Sequence, residues 1–217
     1  MKRSDEIASA LAEVRAGLPP EATLIVVTKT FPVSDLEILY ELGEREFGEN
    51  RDEEGAAKAI ALPSDITWHF QGAIQSKKIR SIVQWADYIH SLDQLRHAEK
   101  ISECAVELNK RMRVFIQVDL EAEHRPGRSG IDPANLANFA RGLTALPAIE
   151  VVGLMCVAPL GEDPDPAFAR LAQLSKVLQE VIPTASLRSA GMSGDYEIAL
   201  RHGATHIRVG SSILGSR

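Results

Sequence analysis

Residues 24–48 read LIVVTKTFPVSDLEILYELGEREFG, and their order decides how the rest of the chain is understood. The apolar, β-branched run at 24–28 is too short for a helix and has the composition of a buried strand. Ser34-Asp35-Leu36-Glu37 has the spacing of a capping box, in which the serine oxygen and the glutamate carboxylate satisfy free amides at a helix start. Leu36, Leu39 and Tyr40 then share one helical face, and Gly43 is placed to stop the helix. A second, short apolar run follows at 46–48. The unit is strand, helix, strand.

The alternation continues along the chain. Further apolar runs lie at 67–70, 88–90, 114–118, 149–157, 186–190 and 206–209, which with the first two makes eight candidate strands. Helical patterns fill the gaps at 52–61, 76–85 and 165–181, and a short one runs over 194–202 before Gly203. Ser91-Leu92-Asp93-Gln94 is spaced as a second capping box, opening a helix to about Leu108. Asp132-Pro133 supplies a cap and a first helical residue ahead of the stripe Leu136, Phe139, Ala140 and Leu143. An additional helix at 4–16 precedes the first strand. Strict strand–helix alternation implies parallel strands covered by helices. An open doubly wound sheet would carry G-x-G-x-x-G after its first strand, and none is present. The expected fold is therefore α/β, a (β/α)8 TIM barrel with an extra N-terminal helix, as a single domain over residues 1–217.

Composition narrows the function classes. The 217 residues carry 24 Lys+Arg against 30 Asp+Glu, a formal net charge of −6, with the two signs interspersed. That balance speaks against a nucleic-acid binder. The N-terminus has no apolar core of a secretory signal, and the longest mostly apolar stretch, 151–160, is too short to span a bilayer. Cys104 and Cys156 match no metal or redox spacing, and Gly203 interrupts the only close histidine pair, His202 and His206. A cytoplasmic protein with reduced thiols and no membrane attachment is expected.

In a barrel of this kind the chemistry sits at the carboxyl ends of the strands. The first strand ends in Lys29. A desolvated lysine at that position would be a nucleophilic amine suited to imine formation, whereas position alone favours a solvated strand-end lysine. The seventh run leads into Gly191-Met192-Ser193-Gly194-Asp195, with Ser193 as a natural N-cap and the amides beside Gly194 as an anion cradle. The eighth ends in Gly210-Ser211-Ser212, a second small-residue turn. Loops after strands 7 and 8 are where barrels of this type often hold a phosphate. Strands 1 and 8 are neighbours in a closed barrel, so amine and cradle together suggest a phosphorylated carbonyl compound. Spacing alone leaves pyridoxal 5′-phosphate (PLP) and a sugar-phosphate Schiff-base substrate both open.

An ordered set of motifs carries a resemblance. Val27-Thr28-Lys29-Thr30, Phe47-Gly48-Glu49-Asn50, Trp68-His69-Phe70-Gln71-Gly72, Gln75-Ser76-Lys77-Lys78, Gly153-Leu154-Met155, Gly191-Met192-Ser193-Gly194-Asp195 and Arg208-Val209-Gly210 appear in family order. On these the chain resembles the pyridoxal phosphate homeostasis proteins, which are similar to the N-terminal barrel of alanine racemase. The resemblance implies that Lys29 holds PLP as a Schiff base. It further implies that Met192, Ser193, Gly210 and Ser211 hold the phosphate and that Arg208 lies against the pyridine nitrogen. Asn50 and His69 would line the cofactor mouth. Without the resemblance, Asn50 is a turn residue and His69 a hydrogen-bonded core histidine. The implied role is that of a PLP-binding homeostasis protein with little or no catalysis, releasing PLP to acceptors by imine exchange. Its partners on this reading are PLP, amino acids and PLP-dependent apoenzymes, and the sequence leaves monomer and homodimer open.

Two other readings are weighed beside it. A PLP-dependent amino-acid racemase needs a second base opposite Lys29, which alanine racemases take from a further domain. With the chain ending at Arg217 and Tyr196 expected on a helix, only weak side activity is expected. A Schiff-base aldolase would place its lysine on a later strand. The sequence departs from the family pattern at Gln71, commonly aliphatic, and at Lys77, commonly Asn. It also departs over residues 119–130, where the loop is longer and Arg128 stands for Lys, and in Arg188-Ser189-Ala190.

Overall fold

The computed structural model describes residues 2–121 and 129–215. Eight strands, β1 (Thr23–Val27), β2 (Glu46–Glu49), β3 (Thr67–Phe70), β4 (Tyr88–Leu92), β5 (Met112–Gln117), β6 (Ile149–Met155), β7 (Leu187–Ser189) and β8 (His206–Val209), pair in sequence order. The ring closes through parallel pairing of β1 with β8, with Ile25 opposite Arg208 and Val26 opposite Val209. Between them run α2 (Val33–Glu41), α3 (Asp52–Ala61), α4 (Ile79–Trp85), α5 (Leu95–Glu107), α6 (Leu136–Thr144), α7 (Asp165–Val181) and α8 (Tyr196–Arg201). α1 (Arg3–Ala16) precedes β1, and a short α9 (Ser211–Leu214) follows β8. The architecture is the expected TIM barrel with an N-terminal helix. Among the described residues no helix is long and apolar enough to cross a membrane.

Strand side chains alternate between two environments, as a two-residue period requires. Leu24, Val26, Phe47, Phe70, Ile89, Val114, Ile116, Ile207 and Val209 face outward into the apolar layer beneath the helices, which is the main core. The opposite parity fills the barrel with an unusual share of polar groups, His69, His90, Ser189, His206 and Arg208, beside a small apolar set of Phe115, Val152 and Met155. A β-bulge shapes this filling: β4 pairs with β5 at Ile89 opposite Val114 and next at Leu92 opposite Ile116. The extra residue lets His90 face inward and Leu92 outward while Ser91 donates to the Gly72 carbonyl at 2.6 Å.

That bulge corrects the second expected capping box. Ser91 belongs to β4, and α5 begins at Leu95 without a side-chain cap. The first capping box is not formed either, because the chain turns helical at Val33, directly after Pro32, and Ser34 already lies inside the first turn. Asp132 does cap, accepting from the Ala134 amide at 2.8 Å, though the first turn it opens is a 3-10 turn. Gly43, at φ 98°, ends α2 in a conformation that favours glycine. α1 is tied down at a distance: Arg3 forms a two-pronged ion pair with Asp35 and donates to the Leu214 carbonyl at 2.9 Å.

Candidate functional site

At the carboxyl ends of the strands lies a cavity of about 470 Å³, within the range of small-ligand sites. Its wall brings together Lys29 from the end of β1, Asn50 after β2, Met192 and Ser193 after β7, and Arg208, Gly210 and Ser211 from β8 and its turn. Gln71, after β3, joins them, with Phe31, Met155 and Val157 supplying apolar surface. Seven of the eight residues expected at the site therefore share one cavity.

His69 is the exception. It is fully buried inside the barrel, with Nδ1 2.9 Å from His90 Nε2 and Nε2 2.6 Å from the Glu46 carboxylate, and its ring stacks on Tyr88 at 4.7 Å. Glu46, Tyr88 and His206 all stand at the amino ends of their strands, so His69 points toward the end of the barrel opposite the cavity. It is a hydrogen-bonded core histidine.

Lys29 is exposed, as the solvated strand-end lysine that position alone favours. What the structure provides is an anchored backbone on either side of it. Thr28 Oγ1 donates to Glu49 at 2.5 Å, the Thr28 carbonyl accepts from Lys58 Nζ at 2.7 Å, and the Thr30 amide donates to Glu54 at 2.6 Å. Lys58 reaches both Glu49 and Glu54 at 2.7 Å and is itself buried. Burial pushes the Glu49 carboxyl above its ordinary value, with the Lys58 ammonium and the Thr28 hydroxyl pulling it back. Thr30 takes φ 67°, an uncommon value for a residue with a Cβ, and these bonds hold it there.

The two turns expected to hold a phosphate meet at Ser193. Its Oγ accepts from the amides of Gly210 and Ser212, each at 3.4 Å. Met192 contributes differently from expectation, since its amide donates to Asp195 Oδ1 at 2.6 Å and is not free. Asp195, not Ser193, precedes α8. Among the described residues the amides of Ser193, Gly194 and Ser211 donate no hydrogen bond, and a Cβ on Gly194 would meet open space. At Gly191, φ is 91° and a Cβ would come within 2.7 Å of the Tyr196 Cα, so this tight turn requires glycine.

Arg208 is held on two sides, donating from Nη1 to Ser189 Oγ at 2.7 Å and from Nη2 to the Cys156 carbonyl at 2.8 Å. Its burial pulls the guanidinium below its ordinary value, with Cys156 and Asp195 acting the other way. The Cys156 thiol is pushed up to about 12 by burial, so it stays a neutral thiol. Two buried polar atoms at the cavity wall, Asn50 Oδ1 and Gln71 Nε2, have no hydrogen-bond partner. An acceptor and a donor left unpaired are costly to bury unless a ligand meets them.

Gln71 could have been found in the sequence by reading the residue after each strand. Ser189 could not, because its partner His90 lies 99 positions away, and although Lys58 is one helical turn from Glu54, that spacing does not show that it also reaches Glu49 and the Thr28 carbonyl. Residues 122–128, including Arg128 and most of the expected longer loop, lie outside the described residues.

The N-terminal domain of alanine racemase, as a family model, matches residues 3–217. The pyridoxal phosphate homeostasis protein of Corynebacterium glutamicum is 40% identical over 201 residues, covering 89% of this chain and 90% of its own. The protein of that name from Synechocystis is 37% identical over 215 residues, covering 96% and 98%. The chain belongs to the pyridoxal phosphate homeostasis protein family. Among solved structures, PipY of Synechococcus elongatus is 38% identical, with a TM-score of 0.90 without PLP and 0.89 with PLP bound, over 96% of this chain and 100% of PipY. Alanine racemase of Corynebacterium glutamicum, at 17% identity and a TM-score of 0.80, shares the fold over 96% of this chain and 60% of its own.

Proposed function

We propose that this chain binds PLP reversibly at the mouth of its barrel, holds it as a Schiff base on Lys29, and releases it to amine-bearing acceptors with little or no turnover of its own. PLP when bound supplies an aldehyde that condenses reversibly with amines and a ring that withdraws electrons. The cavity fits such a group. Ser193, Gly194 and Ser211 offer unpaired amides toward a phosphate, and Asn50 and Gln71 offer an unpaired acceptor and donor beside the ring. Arg208 lines the wall as a fixed donor toward a ring nitrogen. A guanidinium does not give up its proton, so it keeps that nitrogen an acceptor and the ring a weak electron sink.

The observation that carries the carrier reading is the charge census of the wall. Among the described lining residues only Lys29 and Arg208 are charged or titratable, and of the two only Lys29 carries an amine able to form an imine. Racemisation needs a second base on the opposite face. The three tyrosines are placed elsewhere: Tyr40 on Asp65, Tyr88 inside the barrel, and Tyr196 with its hydroxyl facing Gly17. Lys29 on an exposed rim is open to exchange with an incoming amine, whether of an amino acid or of an apoenzyme lysine. Two free buried cysteines suit the cytoplasm as the place of action.

The deciding experiment is borohydride reduction after incubation with PLP, followed by peptide mass spectrometry. A phosphopyridoxyl adduct on Lys29, lost in Lys29→Ala, is expected. An adduct confined to other lysines, or none with PLP in excess, overturns the reading.

A further inference from the structure

Inside the barrel the buried polar side chains form a continuous line. Arg208 Nη1 meets Ser189 Oγ at 2.7 Å, Ser189 Oγ meets His90 Nδ1 at 2.9 Å, His90 Nε2 meets His69 Nδ1 at 2.9 Å, and His69 Nε2 meets Glu46 Oε2 at 2.6 Å. Arg208 lies at the cavity, and Glu46 stands at the amino end of β2 with its side chain one-third exposed. The line therefore runs from one end of the barrel to the other.

Its ends settle its direction. A guanidinium only donates and a carboxylate only accepts. Starting at Glu46, His69 must carry its proton on Nε2, which leaves Nδ1 to accept from His90 Nε2. His90 Nδ1 then accepts the Ser189 hydroxyl proton, and Ser189 Oγ accepts from Arg208. In this order every donor and acceptor along the line is used with both imidazoles neutral. The reverse order needs His69 as an imidazolium and leaves the buried Ser189 hydroxyl proton with no acceptor among the described residues. Burial first, with the Arg208 guanidinium adding to it, holds His90 well below its ordinary pKa, which agrees with a neutral ring.

We infer that Ser189 and His90 are positioning residues: a one-way hydrogen-bond chain anchored on Glu46 fixes the Arg208 guanidinium as a donor aimed into the cavity, and so sets how the ring nitrogen of the bound ligand is met. The effect on the ligand rests on the PLP reading above, whereas the chain itself does not. Ser189 is its joint, because one oxygen both receives Arg208 and passes a proton to His90.

The test uses the intact protein in two measurements. In the first, 15N NMR of the ligand-free protein is expected to show His69 and His90 as neutral rings protonated on Nε2, and separate Nη resonances for a locked Arg208 that merge in Ser189→Ala. A proton on His90 Nδ1, or an imidazolium at His69, overturns the inference, as does an Arg208 signal indifferent to Ser189→Ala. In the second, Ser189→Ala is expected to weaken the PLP Kd about tenfold and shift the visible band of the bound form, with Ser189→Thr restoring both because it keeps the hydroxyl. A Ser189→Ala protein with unchanged Kd and spectrum overturns the positioning role. Should the unsubstituted protein bind no PLP, the functional reading fails, and the NMR measurement still decides the chain. It decides equally if Ser189→Ala does not fold, since the tautomers are read in the unsubstituted protein.

Discussion

At the amino ends of the strands, Tyr88 stacks on His69 and Phe115 on His90, at 4.7 and 4.4 Å, and His69, His90 and His206 each have a hydrogen-bond partner. At the carboxyl ends, the same eight strands surround an open cavity whose wall keeps two buried polar atoms unpaired and presents Lys29 to solvent. One end is filled and satisfied, and the other is left incomplete. Buried polar groups cost free energy when unmet, so the unpaired Asn50 and Gln71 atoms on this wall mark where a ligand can contribute the missing partners. Parallel strands make this division natural, since they direct every βα turn to the same end.

The sharpest way to break the comparison is to remove the amine. Lys29→Ala should lose all borohydride-trapped PLP at that site while its thermal midpoint stays within about 1 °C of the parent, because the side chain is exposed and surface changes are close to neutral. A drop of many degrees would place Lys29 in the structural half of the molecule.

Lys58→Met tests the support beneath Lys29. It leaves Glu49 buried without its ammonium, and breaking a buried pair in this way costs about 3–5 kcal/mol. With Lys58 gone the folded pKa of Glu49 rises further above its unfolded value. The loss should therefore be largest at alkaline pH and shrink as Glu49 takes up a proton on acidification. Urea unfolding at pH 5 and pH 8.5 reads both the size and the sign, and a loss that grows on acidification would refute the arrangement.

His206 tests the filled end. Burial first, then His69, pulls it from 6.5 down to about 4. A depressed folded pKa gives stability that is present above 6.5 and drains away as pH falls toward 4, on the order of 3 kcal/mol at most. His206→Met should lose this part of the decline between pH 7 and pH 4.5, and equal slopes in variant and parent would contradict it. The smallest effect expected is at the cradle: Ser193→Ala should weaken the PLP Kd about tenfold, roughly 1.4 kcal/mol, while Lys29 still traps it. An unchanged Kd would remove Ser193 from the phosphate site.

The barrel was legible because it rests on local signals. A short Val- and Ile-rich run followed by a helical stripe keeps its meaning wherever it occurs, and the stop at Gly43 and the cap at Asp132 were read from neighbouring residues. The capping boxes failed because a Ser-x-x-Glu spacing does not reveal where the chain turns helical: Pro32 brings that point forward at Ser34, and the β4 bulge carries Ser91 into a strand. The strand-end rule reached Lys29 and the turns at Met192-Ser193 and Gly210-Ser211, while Asn50 and Arg208 were implied by the family resemblance. The resemblance placed His69 too high, whereas its plain reading as a hydrogen-bonded core histidine agrees with its full burial between His90 and Glu46. Pairings such as His90 with Ser189, 99 positions apart, exist only once the ring is closed.

That closure has a consequence in time. Lys29 sits on the first strand, while Ser193, Arg208, Gly210 and Ser211 belong to the last two, and Arg3 pins α9 through Leu214. A chain emerging from the ribosome carries Lys29 for most of its synthesis with none of these later residues beside it. Contacts so distant in sequence are also the slow ones to form. The cavity that sets Lys29 beside Ser193, Arg208, Gly210 and Ser211 is thereby reserved for the finished molecule, and a half-made product displays an ordinary surface amine.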